Sequence, residues 1–88
     1  MYINIGSNTL IRKKDIIGIF DLDTSSHEKD TRDFLKNAEK NGKVEVCGMD
    51  LPKSFVVCDH PYHEQIVYLS QLNPSTLKHR AESRKLEL

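Results

Sequence analysis

The hydrophobic and polar positions of this chain form short runs that end at turn-forming residues, a pattern typical of a small strand-rich domain. Apolar or alternating runs predict six strands, at residues 2–5, 9–12, 16–22, 43–47, 54–58 and 65–70. Residues 16–22 are apolar at nearly every position. Such a run predicts a strand that other parts of the protein cover on both faces.

A helical period follows the third predicted strand. Four residues recur at helical spacing and would form one core-facing stripe: Thr31, Phe34, Leu35 and Ala38. Ser25 and Glu28 have the spacing of a capping box, which predicts that the helix begins near residue 25 and runs to about Lys40. Asn41-Gly42 ends it, because glycine tolerates the left-handed conformation that closes a helix.

A second helix is predicted toward the end of the sequence. Asn73 fits its capping position and Pro74 its first turn. Leu77 and Ala81 continue it, and it frays toward Leu88. The order of elements predicts one α+β domain over residues 1–82 with a frayed tail at 83–88. The domain would contain a small, mainly antiparallel sheet of about six short strands, one central helix and one C-terminal helix.

The charge balance limits what the protein can bind. Its 88 residues include 13 basic and 13 acidic side chains, so the chain has no bulk positive charge with which to coat nucleic acid. A nucleic-acid site would need local clustering, or a weak patch repeated across subunits. A chain of this length also buries only a small core, which favours self-association.

The beginning of the chain has neither the basic segment nor the small-residue cleavage site of a signal peptide. No apolar run approaches the roughly 20 residues that a membrane-spanning helix needs; the longest, at residues 16–20, has the length of a strand. We therefore expect a cytoplasmic protein with no membrane partner. In that compartment Cys47 and Cys58 are expected to be reduced thiols on strands.

Soft and imidazole ligands for a metal occur close together in the sequence. Cys58, His60 and His63 lie within six residues, and Cys47 lies upstream. Their spacing matches no common zinc signature. Two core thiols and two loop histidines are the simpler interpretation, with an adventitious surface site as the alternative. We expect no bound metal and no cofactor.

The sequence has few residue patterns that are typical of an enzyme. A nucleophilic cysteine needs an activating base and an accessible thiol, whereas both cysteines fall in strand patterns. Asp21 and Asp23 follow an apolar strand, as magnesium ligands do in some phosphoryl-transfer enzymes, but Asp23 also fits the turn that starts the first helix. The four glycines are scattered and form no phosphate-binding loop. We expect no enzymatic activity, no catalytic residue and no small-molecule substrate.

Basic residues cluster in three places. Arg12, Lys13 and Lys14 occupy the break between the second and third strands. Four residues line the face of the first helix that is nearly opposite its apolar stripe: Lys29, Arg32, Lys36 and Lys40. Four more lie on the second helix, which frays toward its end: Lys78, Arg80, Arg84 and Lys85. A solvated helix face is the simpler interpretation of the first-helix line. One patch would bind phosphate weakly, but copies repeated in an oligomer would add through avidity.

Beyond these local patterns, several short motifs run in order along almost the whole chain. They are Ile3-Asn4-Ile5-Gly6, Ile16-Ile17-Gly18-Ile19-Phe20, the helix end Leu35…Ala38…Gly42, Val67-Tyr68-Leu69-Ser70, and Pro74-Ser75-Thr76-Leu77-Lys78-His79-Arg80. In this order and spacing they resemble the bacterial extracellular-matrix regulator family, RemA and RemB. The opening Met1-Tyr2-Ile3 and the step Phe20-Asp21-Leu22-Asp23 are closer to the RemB branch.

The resemblance implies a ring-forming homo-oligomer that binds double-stranded DNA and regulates transcription of extracellular-matrix (biofilm) genes. It also implies that basic loop residues of neighbouring subunits meet DNA. The RemA branch has an arginine-rich loop where this chain has Asp50-Leu51-Pro52-Lys53-Ser54, and an arginine where this chain has Asp15. The DNA-contacting residues predicted here are Arg12, Lys13, Lys14 and Lys53, with Arg32 and Lys36 as outer candidates.

A second hypothesis from a different class stays open. The chain would be an oligomeric adaptor or structural interaction module that binds another protein and no DNA. The even charge balance and the missing arginines favour this adaptor, whereas the resemblance favours the DNA-binding regulator. Titration with duplex DNA at two salt concentrations separates the two hypotheses.

Overall fold

The structure of the protein is a computed structural model that describes residues 1–25, 28–60 and 62–82. The strands are β1 (Tyr2–Asn4), β2 (Leu10–Arg12), β3 (Ile16–Asp21), β4 (Val44–Cys47), β5 (Ser54–His60) and β6 (His63–Ser70). The helices are α1 (Leu22–Ser25), α2 (Lys29–Lys40) and α3 (Pro74–Glu82), and a 3-10 turn at Lys13–Asp15 joins β2 to β3. The predicted α+β class is confirmed, and the predicted central and C-terminal helices are α2 and α3.

The strands form two sheets. β1 and β2 pair as an antiparallel ribbon, and the other four strands pair in the order β3-β5-β6-β4. The pairs are antiparallel except that of β4 with β6. After β4 the chain crosses the end of β6 before it enters β5, and there the Lys53 N–H donates to the Ser70 carbonyl (2.8 Å). The sheet is therefore mainly antiparallel, as predicted, with one parallel edge.

The four-stranded sheet is buried on both faces along β5. Successive side chains of a strand point to opposite faces, so Val56 and Cys58 enter one core while Phe55 and Val57 enter the other. The ribbon and α3 close the first core, and α2 closes the second. The first core consists of Ile3, Ile5, Ile11, Cys47, Val56, Cys58 and Leu77. The second consists of Ala38, Phe55, Val57 and Val67.

β3 differs from the prediction of a strand covered on both faces. Ile16 and Ile19 pack against the first core, but Ile17 and Phe20 are 53% and 42% exposed. These two side chains are exposed because β3 lies at the edge of the sheet. The helix that covers this face, α2, packs against β6 instead. The prediction is therefore wrong for a single chain, because one apolar face of β3 meets solvent.

The first predicted helix is divided into two and begins later than expected. Asp21 caps α1, since its carboxylate accepts two backbone N–H groups of the first turn, at 2.9 and 3.3 Å. α2 begins at Lys29, with Glu28 in the capping position and no side-chain capping bond. The predicted start at Ser25, with a capping box between Ser25 and Glu28, is therefore wrong. Asp21 instead caps α1, a separate helical turn that precedes α2.

α3 confirms the predicted C-terminal helix. Pro74 is its first residue, and the Asn73 carbonyl accepts the Leu77 N–H (3.2 Å). The predicted tail at residues 83–88 lies outside the described residues. Within the described ranges, no helix combines the length and the apolar character that crossing a membrane requires.

α2 ends at the predicted glycine. Gly42 has a φ of +70°. The Lys43 N–H donates to the Ala38 carbonyl (2.8 Å), and the Gly42 N–H donates to the Glu39 carbonyl (3.0 Å). These two bonds form a Schellman motif, which satisfies carbonyl groups that would otherwise lack partners at the helix end.

Gly42→Ala should lower the free energy of unfolding by about 1 kcal/mol, because an L residue is strained in the left-handed region. A β-carbon at this position would meet no atom within 4 Å, so the cost is conformational rather than steric. Urea denaturation of the wild type and the variant measures it. Gly42→Asn is the matched control and should lose less, since asparagine tolerates this conformation. An alanine variant as stable as the wild type would contradict this account of the helix end.

Candidate nucleic-acid interface

The first basic cluster forms a defined turn at the end of the ribbon. Arg12 ends β2, and Lys13 and Lys14 lie in the 3-10 turn that leads into β3. Pairing of β1 with β2 sets Tyr2 opposite Arg12, and the Lys13 N–H donates to the Met1 carbonyl (2.9 Å). Hydrogen bonds of the ribbon therefore hold the backbone of Arg12 and Lys13, and Lys14 follows directly in the 3-10 turn. Arg12, Lys13 and Lys14 are called the basic turn below.

The positive charge that the basic turn presents to solvent comes from its two lysines. The Arg12 guanidinium forms a two-point ion pair with Asp15, with Nε 2.7 Å from one carboxylate oxygen and Nη2 3.2 Å from the other. The hydrogen bond and the attraction between these charges raise the pKa of Arg12. The negative charge of Asp15 thus offsets the positive charge of Arg12. Lys14 is exposed, and Lys13 is partly exposed with its Nζ 3.7 Å from the Met1 Sδ.

Lys53 lies at the other end of the sheet from the basic turn. β3 begins directly after the basic turn with Ile16 opposite Cys58, and it ends at Asp21 opposite Ser54. Because Lys53 precedes Ser54, the length of β3 separates it from the basic turn, roughly 17 Å at about 3.3 Å per residue. One chain therefore does not bring Lys53 together with the other predicted DNA contacts.

Arg32 and Lys36 lie on a third surface. Both are exposed on α2, as are Lys29 and Lys40, so the predicted solvent-facing line is confirmed. α2 packs on the second core through Ala38, whereas the ribbon that carries the basic turn packs on the first core. The two groups of basic residues therefore lie on opposite faces of the four-stranded sheet.

The two described basic residues of α3 that were predicted to form a cluster differ: one bonds another element and the other faces solvent. Arg80 donates to the Asn4 carbonyl (2.6 Å) and joins α3 to β1, whereas Lys78 is exposed. Arg84 and Lys85 lie outside the described residues. The spacing of basic residues along a helix does not distinguish a structural arginine such as Arg80 from a surface charge.

A cleft of about 320 Å³ opens beside the basic turn. Tyr2 and Arg12 line it from the ribbon, and His60 and Tyr68 line it from the four-stranded sheet. Burial raises the pKa of Tyr68, so its phenol stays protonated at neutral pH. The sequence pattern did not predict this cleft, because its walls come from two separate sheets.

A second cavity of about 320 Å³, called the apolar groove below, lies over the uncovered face of β3. Ile17, Phe20 and Phe34 line it, and Phe34 is 37% exposed. Phe20 stacks on Phe55 with the ring centroids 5.0 Å apart. Contiguous exposed apolar surface marks interaction sites. The signal for it in the sequence was the nearly all-apolar run at residues 16–22, which α1 and α2 leave partly open.

The two cysteines are free, buried residues on strands, as predicted. Burial raises the pKa of Cys58 to about 12 and also raises that of Cys47. Protonated, buried thiols are poor nucleophiles and poor metal ligands. Among the described residues, no three side chains of His, Cys, Asp or Glu are grouped so that they could hold a metal ion. The side chain of His63 lies outside the described part. Asp21, a candidate magnesium ligand with Asp23, caps α1 instead.

The sequence of the chain is similar to those of known regulatory proteins. The chain matches the model of the RemA-like family, described as extracellular matrix regulatory protein A-like, over residues 2–81. It therefore belongs to the RemA-like family. Extracellular matrix regulatory protein B of Bacillus subtilis (strain 168) is 37% identical over 82 residues, which cover 93% of this chain and 91% of the relative. The family resemblance found in the sequence motifs is confirmed.

Cys58→Ala should flatten the dependence of stability on alkaline pH. The unfolded thiol has its ordinary pKa, about 8.5, whereas the pKa in the folded protein is about 12. The unfolded chain therefore loses the proton first, so the contribution of the neutral thiol is complete below about pH 8.5 and is lost as the pH rises toward the folded pKa. Below about pH 8.5, where the thiol is neutral in both states, the variant should be less stable than the wild type by on the order of 1 kcal/mol.

Denaturation of wild type and Cys58→Ala from about pH 8 to about pH 11 measures this effect. Taking the difference between the two proteins removes the contribution of other titrating groups. A stability difference that does not change with pH would contradict a buried, neutral Cys58. Zinc at one equivalent in protein purified without a metal column would support a metal site at Cys58, His60 and His63.

Proposed function

We propose that this chain is an oligomeric, DNA-binding regulator of the transcription of extracellular-matrix (biofilm) genes in the cytoplasm. Membership of the RemA-like family supports a regulatory role, since the Bacillus subtilis relative is named as a matrix regulatory protein. DNA binding is supported by the basic turn, where the ribbon holds the backbone of Lys13 and the exposed Lys14 follows it. In this proposal the chain acts by binding double-stranded DNA, with no enzymatic step, no cofactor and no membrane partner.

One basic turn can neutralise only a few phosphates. A single chain would then bind in the non-specific range, with a Kd of roughly 10⁻⁴ to 10⁻⁶ M. Lys53, Arg32 and Lys36 lie on other surfaces of the same chain and do not extend that footprint. Several copies on one duplex bind far more tightly, because each further contact forms at a high effective concentration. Tight DNA binding by this surface therefore requires assembly.

The apolar groove supports such an assembly. Met49 and Leu51, in the loop between β4 and β5, are 102% and 87% exposed. They are apolar side chains that protrude from a different part of the chain from the groove. In the proposed assembly, this loop of a second copy fills the groove of the first. Contact between two different surfaces gives a head-to-tail arrangement, which forms a ring when the rotation between neighbours closes.

An adaptor that assembles but binds no DNA is the second candidate. The ion pair between Arg12 and Asp15 favours it, because it offsets one of the three positive charges of the basic turn. The net charge of zero and the single basic residue between Asp50 and Ser54 favour it as well. Both candidates share the assembly, and DNA binding alone distinguishes them.

The protein should show a mass several times 10.1 kDa in light scattering at micromolar concentration. Ile17→Lys should shift the mass toward that of one chain, because it places a charge in the apolar groove. Leu10→Lys is the matched control, since Leu10 is exposed to a similar degree, 47% against 53%, but lies outside the groove. A monomeric wild type would overturn the assembly.

The double variant Lys13→Ala, Lys14→Ala should weaken binding to duplex DNA and flatten its salt dependence while keeping the wild-type mass. Each lost phosphate contact lowers the slope of log K against log salt by about 0.9, because fewer counterions are released. Replacement of both lysines by Glu should weaken binding further, since it adds repulsion. Polarisation titrations at two salt concentrations give both the affinity and the slope.

Arg32→Ala with Lys36→Ala is the control, because it removes the same charge from α2. If this pair weakens binding and the basic-turn pair does not, α2 is the DNA contact and the proposed site is wrong. If the wild type binds no duplex DNA even at low salt, the regulator hypothesis fails and the adaptor takes its place.

A further inference from the structure

The cleft beside the basic turn differs in chemistry from the apolar groove. Tyr2 lies opposite Arg12 in the ribbon, so both side chains project from the same face. His60 of β5 and Tyr68 of β6 line the cleft from the four-stranded sheet. Planar side chains thus line a space of about 320 Å³ from both sheets. That volume falls in the range of small-molecule sites, roughly 300–1,000 Å³.

The ion pair with Asp15 holds one of these planes in place. Arg12 uses Nε and Nη2 for its two bonds, at 2.7 and 3.2 Å, and two bonds along one edge fix the orientation of the guanidinium. Guanidinium and aromatic planes are the surfaces on which nucleobases stack. Asp59, an exposed residue that also lines the cleft, has a carboxylate that can accept a hydrogen bond from the exocyclic amine of a base.

The distribution of charge suits a ligand with a neutral part and a negative part. Asp15 and Asp59 outnumber Arg12 in the lining, so the cleft favours a neutral ring with amine donors over an anion. The positive charge lies just outside, on Lys13 and Lys14, which follow Arg12 directly. A nucleotide has this division between an uncharged base and a negative phosphate.

We propose that this cleft binds a nucleotide, with the base against Tyr2 and Tyr68 and the phosphate on the lysines of the basic turn. The nucleotide is either a free mononucleotide or an unpaired nucleotide of a single strand, since both present the same chemistry. The site goes beyond the duplex binding proposed above and does not depend on it. A base enters the cleft only when it is unpaired.

Two probes distinguish these sources. Adenosine monophosphate, followed by calorimetry, tests a free nucleotide, and a fluorescent single-stranded oligo-dA, followed by polarisation, tests an unpaired one. Tyr2→Ala removes a ring that is 47% exposed and leaves both cores in place. The variant should lower the affinity for whichever probe binds by roughly five- to 150-fold, the range for losing one stacked base. The salt slope should not change, because it reports phosphate contacts.

Tyr62→Ala is the matched control. Tyr62 is 87% exposed and its ring centroid lies 5.9 Å from that of His60, but it is not part of the cleft lining. This variant should bind both probes as the wild type does. Equal losses in the two tyrosine variants would overturn the cleft as the site, and so would a wild type that binds neither probe. Binding of either probe without binding of duplex DNA would support the cleft and refute only the duplex-binding function proposed above.

Discussion

Because β5 is buried on both faces, the other elements must cover the four-stranded sheet from two sides. Residues 54–58 are all buried, and neighbouring side chains of a strand point to opposite faces, so each face of the sheet needs a cover. Four strands at about 4.8 Å spacing are roughly 19 Å wide, whereas one helix with its side chains is roughly 10 Å across. α2 therefore covers the middle of the second face and leaves the edges open. The exposure of Ile17 on β3 and of Val46 on β4, 53% and 63%, follows from this mismatch.

Polar side chains fix the cover of the first face. Ser70 donates through Oγ to the Ile5 carbonyl (2.6 Å), and Arg80 donates to the Asn4 carbonyl (2.6 Å). Carbonyl groups where the ribbon crosses the sheet need such partners, because burial removes them from water. In the described part of the chain no buried side-chain nitrogen or oxygen lacks a partner. These bonds set the position of the ribbon, and with it the position of the basic turn and the cleft.

Local patterns predicted the parts of this fold that depend on neighbouring residues. The Gly42 helix end and the start of α3 at Pro74 are examples, because a few adjacent residues determine them. The strand partners were not predictable in this way, since one periodicity fits several pairings. The start of α2 was misplaced because residues 22–25 form a separate helical turn capped by Asp21, so Ser25 lies at the end of that turn rather than at the start of α2.

The candidate site shows the same limit. Arg12, Lys13 and Lys14 are consecutive, so their cluster could be predicted without a structure. The separation of Lys53 from them depends on the register of β3 against β5. The cleft depends on how a ribbon and a sheet pack. Both features arise from contacts between residues far apart in the sequence. The spacing of residues along the chain does not predict such contacts.

The proposed assembly would cover the exposed apolar surface and would also bring basic residues of neighbouring copies together. A single chain leaves an apolar face in water and presents its positive charge in separate small groups. Docking of the loop that carries Met49 and Leu51 into the apolar groove of a neighbour would bury that face, and Lys53 lies two residues after Leu51 in the same loop. The contact that stabilises the oligomer would then also place Lys53 beside the surface of the next copy. A chain with no net charge would in this way gain a repeated basic surface by associating, rather than by carrying more basic residues.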